Sequence, residues 1–287
     1  MTYSPTVRRR RLSAALLRAR EATGLTADAA AKQLGWPASK VTRIERNEWR
    51  RPTVSDVTDM LDVYGVTDED IRKVLTTLAR QARERGWWEG EHKVELGGSL
   101  VEFETEAWKI LVFQALLIPG LLQTAEYARA VFKGGRVLDE AAIDRHVQAR
   151  LARQRVLERD QPPSLWAVID EAALVKHVGG PAVMRDQLKR LVEMATRPNI
   201  DIQVLPNAVG AHASMTGSFT ILSYATPDDP DLVYIEVGSR GDLYIESPEE
   251  VNRYTHKYDH VRASAISADA SVVYLQDMIR ELDKQLT

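Results

Sequence analysis

Acid–base chemistry is suggested by three side chains that lie close together in the second half of the chain. Asp170 and Glu171 are adjacent, and His177 follows in the same segment. Such groups act as general acids and bases when a fold brings them together. A structural role suits the same residues, because Asp170 and Glu171 can cap a helix after an apolar strand and His177 precedes a Gly-Gly turn. We favour the structural interpretation.

Metal binding is suggested by two histidines that are one helical turn apart. His256 and His260 lie in the sequence HKYDH, and this spacing places two imidazoles on one helix face, where they can bind zinc. The sequence lacks the zinc-protease motif His-Glu-x-x-His and has no evident third ligand. It also lacks a phosphate loop, a dinucleotide fingerprint and a nucleophile elbow. We therefore expect a surface or partner-facing histidine pair and predict no metal, no other cofactor and no enzymatic activity.

A small-molecule pocket is a third possibility. His212 lies in the loop GAHASMTG, whose small residues could close over a ligand. Polar side chains also alternate on the predicted strands nearby, where they could supply the polar contacts of a pocket. The same polar residues could equally belong to an ordinary edge strand. The candidates for ligand contacts are Trp166, Asp170, Glu171, His212, Glu236 and Tyr244.

Hydrogen-bond donors of another kind are concentrated near the N-terminus. Ser39, Lys40 and Arg43 carry polar groups that suit base edges in DNA, and Arg43 could bond one guanine through two N–H groups. Thr42 lies beside them on the same predicted helix. Contacts to the phosphate backbone, which set the register on DNA, are predicted for Thr26, Arg46, Arg50 and Arg51.

Two short predicted helices position these donors. Thr26 can cap the first helix, and Gly35 can end it in the left-handed conformation that glycine adopts at little cost. Pro37 is predicted at the first position of the second helix, where no N–H group is needed. Val41 and Ile44 predict the buried side of that helix. The unit has the pattern of a helix-turn-helix, which places one helix in the major groove.

The segment LTADAAAKQLGWPASKVTRIERN resembles the DNA-binding half of XRE-type, lambda-repressor-like helix-turn-helix domains. It departs from the family pattern at three places: Ala27 replaces a frequent glutamine, Pro37-Ala38 replaces Ser-Arg, and Asn47 replaces a turn glycine, whose positive φ asparagine also accepts. The resemblance implies a head of five short helices whose third helix reads double-stranded DNA. The matching residues are Leu25, Thr26, Ala30, Leu34, Gly35, Ser39, Val41, Arg43, Ile44, Glu45 and Arg46.

The composition is that of an ordinary globular protein, with 44% apolar and 28% charged residues among 287. The chain contains no cysteine, which excludes disulfides, thiolate zinc sites and a cysteine nucleophile and fits a reducing compartment. No apolar run reaches the roughly 18 residues of a membrane span, and no signal peptide is evident. We expect a cytoplasmic, nucleoid-associated protein that does not enter a membrane.

The charge is divided unequally along the chain. Residues 1–60 hold 12 Lys and Arg against 6 Asp and Glu, a net charge of +6, whereas residues 61–287 hold 26 against 35, a net charge of −9. A basic end on an acidic body is typical of a DNA-binding head on a separate partner- or ligand-binding domain. The run Arg8–Arg11 opens the first predicted helix, where the helix dipole disfavours cations. These arginines either contact DNA phosphates or are simply exposed to solvent.

Beyond the head, short apolar strands alternate with amphipathic helices, which predicts an α+β domain with a small mixed or antiparallel sheet and packed helices. We place the boundaries at residues 1–66 for a mainly α head, 67–87 for a linker helix and 88–287 for the body. The segments LLIPGLLQTAEYARA, DEAALVKHVGG and NIDIQVLPNAVGAHASMTGSF resemble the C-terminal domain of WhiJ-like regulators, also labelled antitoxin-like, which are abundant in filamentous high-GC bacteria.

The two resemblances together imply a sequence-specific DNA-binding transcription regulator. Because one small head buries little DNA, we predict a homodimer that reads two half-sites. The body is expected to receive a signal from a small-molecule effector or from a small acidic or uncharacterised partner protein. The alternatives are an antitoxin-like protein that acts mainly through such a partner, and an enzyme that carries a DNA-binding head.

Overall fold

The computed structural model describes residues 5–49, 51–83, 95–96, 99–136, 139–225, 229–237 and 242–287. The chain divides into two compact units. The first comprises Met1–Glu91 and Ser99–Glu106, and the second comprises His92–Gly98 and Ala107–Thr287. The first unit therefore includes residues 99–106, which lie inside the predicted body. Arg50 and the predicted boundary at residue 88 lie outside the described residues.

The N-terminal unit, which we call the head, is built from α-helices, as the sequence pattern predicts. The helix Glu69–Gln81 occupies the region for which a linker helix over residues 67–87 is predicted, and it ends earlier than predicted. In chain order the helices are α1 (Pro5–Thr23), α2 (Ala27–Leu34), α3 (Ala38–Glu45), α4 (Val54–Val63), α5 (Glu69–Gln81) and α6 (Ser99–Glu106).

Local sequence decides where α2 and α3 begin and end. The Thr26 hydroxyl accepts a hydrogen bond from the Ala29 N–H at 3.1 Å, and Gly35 ends α2 with a φ of 67°, so both predicted helix ends are confirmed. Pro37 differs from its prediction, because it precedes the helix with a ψ of 138° and α3 begins at Ala38. The fixed φ of proline suits this flanking position as well as the first helical one.

One hydrophobic core holds the head helices together. Leu12 and Leu16 of α1 pack with Val41 and Ile44 of α3 and with Met60 of α4, and all five side chains are buried. Helix α1 contacts α3, α4, α5 and α6. Helix α2 also contacts α3, so α1 and α2 together set the position of α3.

The arginine run Arg8–Arg11 takes part in packing within the head. Arg8 forms an ion pair with Glu106 of α6 at 3.1 Å. Arg10 is buried, and its guanidinium lies 5.9 Å from the centre of the Phe103 ring. Neither of the two predicted roles fits Arg10, because a buried guanidinium reaches neither a phosphate nor bulk solvent.

The C-terminal unit, which we call the body, contains one six-stranded sheet with the order β3-β2-β1-β4-β5-β6. Strands β1, β2 and β3 are parallel, and β4, β5 and β6 continue the sheet from β1 in antiparallel steps. The predicted combination of a mainly α head and an α+β body with a small mixed sheet is confirmed. The strands are β1 (Lys109–Gln114), β2 (Ser164–Asp170), β3 (Ile200–Leu205), β4 (Phe219–Ser223), β5 (Leu232–Glu236) and β6 (Asp242–Ile245).

Helices connect the strands and cover the sheet. The first α-helix that the structure describes in the body begins at Ala125, because the Thr124 hydroxyl caps it by accepting from the Tyr127 N–H at 3.2 Å. No helix that the structure describes is long and apolar enough to cross a membrane. The body helices are α7 (Ala125–Gly134), α8 (Glu140–Gln154), α9 (Glu171–Val175), α10 (Pro181–Met194), α11 (Pro248–Ser264) and α12 (Ala268–Leu286).

Helix α11 packs on one face of the sheet, which we call the α11 face. Its Tyr258 is buried, and the hydroxyl donates to the Trp166 carbonyl oxygen at 2.9 Å. Burial raises the pKa of Tyr258 and keeps the phenol protonated as a donor. Strand alternation places Leu111, Phe113 and Ile221 on the same face, where they pack with α11.

We expect Gly35→Ala to destabilise the head by about 1 kcal/mol, because a Cβ disfavours the left-handed conformation of this residue. No atom lies within 4 Å of a Cβ built on Gly35, so the cost is conformational and involves no clash. Gly35→Asn is the control, since asparagine accepts positive φ more readily. Hydrogen exchange of the α2 amides measures the effect, and equal protection in the two variants would contradict the explanation.

Candidate functional site

Helix α3 separates apolar residues from polar ones. Val41 and Ile44 are 0% and 2% exposed and belong to the head core. Ser39 and Arg43 are exposed, and Thr42 is partly buried beside them. Two of the residues predicted to contact base edges, Ser39 and Arg43, thus lie on the solvent-facing side of α3. The other side of α3 packs into the head core.

A buried ion pair fastens the C-terminal end of α3. Arg20 donates from Nε to Glu45 Oε1 at 2.8 Å and from Nη2 to Oε2 at 2.9 Å. The Tyr64 hydroxyl donates to the same Oε1 at 3.0 Å. The Arg20 and Glu45 side chains are only 13% and 4% exposed. Burial, together with the adjacent carboxylate, raises the pKa of Tyr64, so the phenol remains a donor to Glu45.

Sequence reasoning recognised Glu45 as a motif position but assigned no role to Arg20 or Tyr64. One signal in the sequence could have indicated a buried ion pair, namely that Glu45 directly follows the apolar Ile44. A carboxylate that is buried beside such a residue requires a cation and further hydrogen-bond donors. The spacing does not say which arginine of α1 supplies the cation. That choice depends on how α1 crosses α3.

The segment that follows α3 is held against α1. Asn47 has a φ of 59°, which confirms the predicted turn, and its Oδ1 accepts from the Arg9 Nε at 3.0 Å. The Trp49 Nε1 donates to the Ser13 hydroxyl at 3.0 Å. These bonds hold the segment that leads towards Arg51, whose side chain is exposed.

The other predicted phosphate contacts also lie at the surface of the head. Thr26 is exposed, and its hydroxyl oxygen caps α2, which leaves the hydroxyl proton to donate elsewhere. Arg46 is exposed directly after α3. Arg50 lies outside the described residues, so its predicted role gains no structural description.

Lys40 is held differently from the other predicted base contacts. Its Nζ lies 2.7 Å from Asp56 Oδ1 on α4 and 3.6 Å from the centre of the Trp36 ring. Only 31% of the Lys40 side chain is exposed. A contact between this ammonium and a base would therefore require the ion pair with Asp56 to break.

The ligand candidates of the body divide between the two faces of the sheet. Trp166 lies on the α11 face, where its Nε1 donates to Gln203 Oε1 at 2.7 Å. Tyr244 pairs with Tyr234 across β5 and β6. Strand alternation places this pair, together with Glu236, on the opposite face. The predicted candidates therefore do not converge on one pocket.

His212 and Asp170 do come together, beyond the carboxyl ends of β1 and β2. His212 Nε2 lies 3.5 Å from Asp170 Oδ2, and Nδ1 accepts from the Ser214 N–H at 3.3 Å. The imidazole meets the Phe113 ring edge to face, with 5.5 Å between ring centres. The His212 ring is therefore held by Ser214 and Phe113, with Nε2 facing the Asp170 carboxylate.

Asp170 has the helix-capping role predicted for it, whereas Glu171 has a different structural role. Asp170 Oδ1 accepts from the Ala172 N–H at 2.8 Å and caps α9, which confirms the predicted cap. Glu171 Oε2 accepts from the Asn207 N–H at 2.7 Å. Burial, together with a hydrogen bond to Glu171, raises the pKa of Tyr274 to about 12. Both carboxylates are thus bound to backbone N–H groups of the body.

The remaining histidine candidates are His177, His256 and His260, and all three are exposed. The predicted surface position of the HKYDH pair is confirmed. Within the ranges that the structure describes, no group of three or more acidic or histidine side chains could hold a metal ion.

Exposed apolar side chains lie on the segments that follow the parallel strands. Leu116 after β1 is 61% exposed, Val175 at the end of α9 is 50% exposed, and Met215 after β3 is 67% exposed. The first and last of these segments are joined, because the Ala115 N–H donates to the Ser218 hydroxyl at 3.0 Å. Apolar surface of this kind is a common feature of protein contact sites.

We expect Glu45→Ala to destabilise the head by roughly 3 kcal/mol, because it leaves the Arg20 guanidinium buried without its carboxylate. The double variant Arg20→Met/Glu45→Leu leaves no buried charge, so its cost should be smaller than the sum of the two single changes. Pulse proteolysis of the full chain in urea measures each free energy of unfolding. Additive costs would show that the two side chains do not act as a pair.

Two known families match the chain. A family described as a helix-turn-helix domain matches residues 11–74, which contain α2 and α3, and it identifies the head as a DNA-binding domain of a regulator. A family described as a domain of unknown function (DUF5753) matches residues 98–277. No curated protein and no solved structure matches the chain. Because the second match covers more than half of the sequence, the chain belongs to the DUF5753 family, and in it an XRE-like helix-turn-helix head precedes the family's domain.

Proposed function

We propose that this protein is a sequence-specific transcription regulator that binds operator DNA as a homodimer in the cytoplasm. The observation that supports this proposal best is the anchored helix α3. It carries the exposed Ser39 and Arg43, and its C-terminal end is fastened by the buried Arg20–Glu45 pair. Hydrogen bonds to base edges are directional, so a reading helix must be held in one orientation.

In this proposal α3 lies in the major groove of DNA. Arg43 donates two hydrogen bonds to one guanine, and Ser39 contacts a neighbouring base. Thr26, Arg46 and Arg51 contact phosphates on either side of the groove and set the register. Arg43 makes no ion pair with the residues that the structure describes, so its guanidinium is available for DNA.

The homodimer follows from the small size of one head. A single short reading helix contacts few base pairs, whereas two heads read half-sites about one helical turn apart and double the number of specific contacts. The operator of such a dimer has two related half-sites with a two-fold arrangement.

The body receives the signal and catalyses no reaction in this proposal. The backbone bonds of Asp170 and Glu171 give both carboxylates a structural role, which supports the non-catalytic interpretation. The exposed Leu116, Val175 and Met215 favour a protein partner as the signal. If the protein acts mainly through such a partner, it is antitoxin-like, which is the alternative form of regulation by a protein partner.

A small-molecule signal is the second candidate, and the His212–Asp170 pair favours it. The pair lies beyond the carboxyl ends of parallel strands, where ligands of open α/β sheets commonly bind. Either signal regulates DNA binding only if it has different affinities for two states of the protein.

Arg43→Ala tests the proposal directly. We expect discrimination at one base pair of the operator to fall by roughly 5- to 150-fold, because a bidentate arginine–guanine contact contributes about 1–3 kcal/mol. The operator is first selected from fragments of the gene's own upstream DNA, and fluorescence anisotropy then measures binding to every single base-pair variant. A uniform loss on all duplexes would assign Arg43 to phosphate, and equally weak binding of all fragments by the native protein would contradict the proposed function.

Arg51→Ala should weaken binding to every DNA sequence to a similar degree. If Arg51 contacts one phosphate, the slope of log affinity against log salt becomes flatter by about one. Arg253→Ala is the matched control, because it removes an exposed arginine of the body and should leave the slope unchanged. If the Arg51→Ala variant keeps the salt slope of the native protein, Arg51 does not contact DNA.

A further inference from the structure

A cation of the reading helix is bound to a carboxylate of the next helix. Lys40 Nζ and Asp56 Oδ1 are 2.7 Å apart, and the two side chains are 31% and 23% exposed. The ammonium also lies 3.6 Å from the centre of the Trp36 ring. Partial burial strengthens both interactions relative to those of a fully exposed lysine, because less water screens them.

The two groups that hold Lys40 are themselves fixed. The Asp56 N–H donates to the Thr53 hydroxyl at 3.0 Å, so the carboxylate stands in the first turn of α4, where the helix dipole favours a negative charge. The Trp36 N–H donates to the Ala31 carbonyl at 2.9 Å, and the Trp36 ring packs against the head core. Lys40 is therefore held by two groups with little freedom to move.

From this geometry, and resting on the proposed function, we propose that Asp56 is a specificity-determining residue. It holds the Lys40 ammonium against α4 and away from DNA, so that Ser39 and Arg43 read the bases. Asp56 touches no DNA in this proposal and acts by positioning Lys40.

The consequence concerns selectivity more than affinity. A free lysine next to DNA is a mobile point charge that neutralises a phosphate in any sequence, and such contacts carry no sequence information. Holding the ammonium on Asp56 removes one contact of this kind. The affinity for unrelated DNA falls, whereas the base contacts of Arg43 are unaffected, so the ratio of specific to non-specific affinity rises.

Asp56→Asn tests this inference in the full chain. The freed Lys40 should tighten binding to a scrambled duplex about fivefold at 0.15 M salt and steepen its salt slope by about one, as expected for one added phosphate contact. Binding to the operator should gain less than this, so the ratio of operator affinity to scrambled-duplex affinity should fall, and an equal gain on both duplexes would overturn the role in specificity. Fluorescence anisotropy at several salt concentrations measures all three quantities.

Two further variants identify the cause of any change. Asp59→Asn removes the same charge from the same helix at an exposed position that forms no ion pair with the described residues, so it controls for general electrostatics. Asp56→Asn/Lys40→Met removes the freed cation and keeps an apolar stem against Trp36, so binding should return to that of Lys40→Met alone. Thermal melts verify that every variant is folded at the assay temperature.

The outcomes separate this inference from the proposed function. It is overturned if Asp56→Asn behaves like Asp59→Asn, or if the tighter binding persists in the double variant, which would mean that the Asp56 carboxylate itself repels DNA. It is also overturned if Lys40→Met alone loses discrimination at one base pair, as Arg43→Ala should, because Lys40 would then read a base. If the native protein selects no DNA fragment and Arg43→Ala changes nothing, the proposed function itself fails.

Discussion

The buried pair between Arg20 and Glu45 is the interaction on which the head depends. Helix α3 has only 8 residues and would be marginal in isolation. Buried charges are costly unless they are paired and fully hydrogen-bonded, and the bidentate contact with the added Tyr64 donor meets both conditions. Because these bonds are directional, the interaction that stabilises α3 also sets its orientation, which is what recognition of a base requires.

The other cations of the head show the same dependence on tertiary partners. Arg8 and Arg10 pack against α6, and Lys40 is held on α4. Arg43 and Arg51 remain exposed. The excess of positive charge in residues 1–60 therefore does not spread evenly over the surface. In the proposed function, contacts with DNA depend on the cations that packing leaves accessible near α3.

In the body, the direction of the strands determines which of the candidate ligand-binding side chains lie close together. The parallel strands β1, β2 and β3 end at one edge of the sheet. At that edge the segments that follow them bring His212 to Asp170 and expose Leu116 and Met215. Glu236 and Tyr244 are excluded from this group because their strands present them on the opposite face. In the proposed function, a signal that binds at this carboxyl edge meets both polar and apolar side chains.

By itself, the sequence determined the features that depend on neighbouring residues. Thr26, Gly35 and Asn47 act through their own backbone or the next turn, and apolar periodicity marks the strands and the buried side of α3. Tertiary structure alone decided that Arg20 binds Glu45, that Asp56 holds Lys40, and that the ligand candidates lie on two faces. These pairings join residues far apart in the chain, and they depend on helix crossings and strand order, which neither residue type nor spacing encodes.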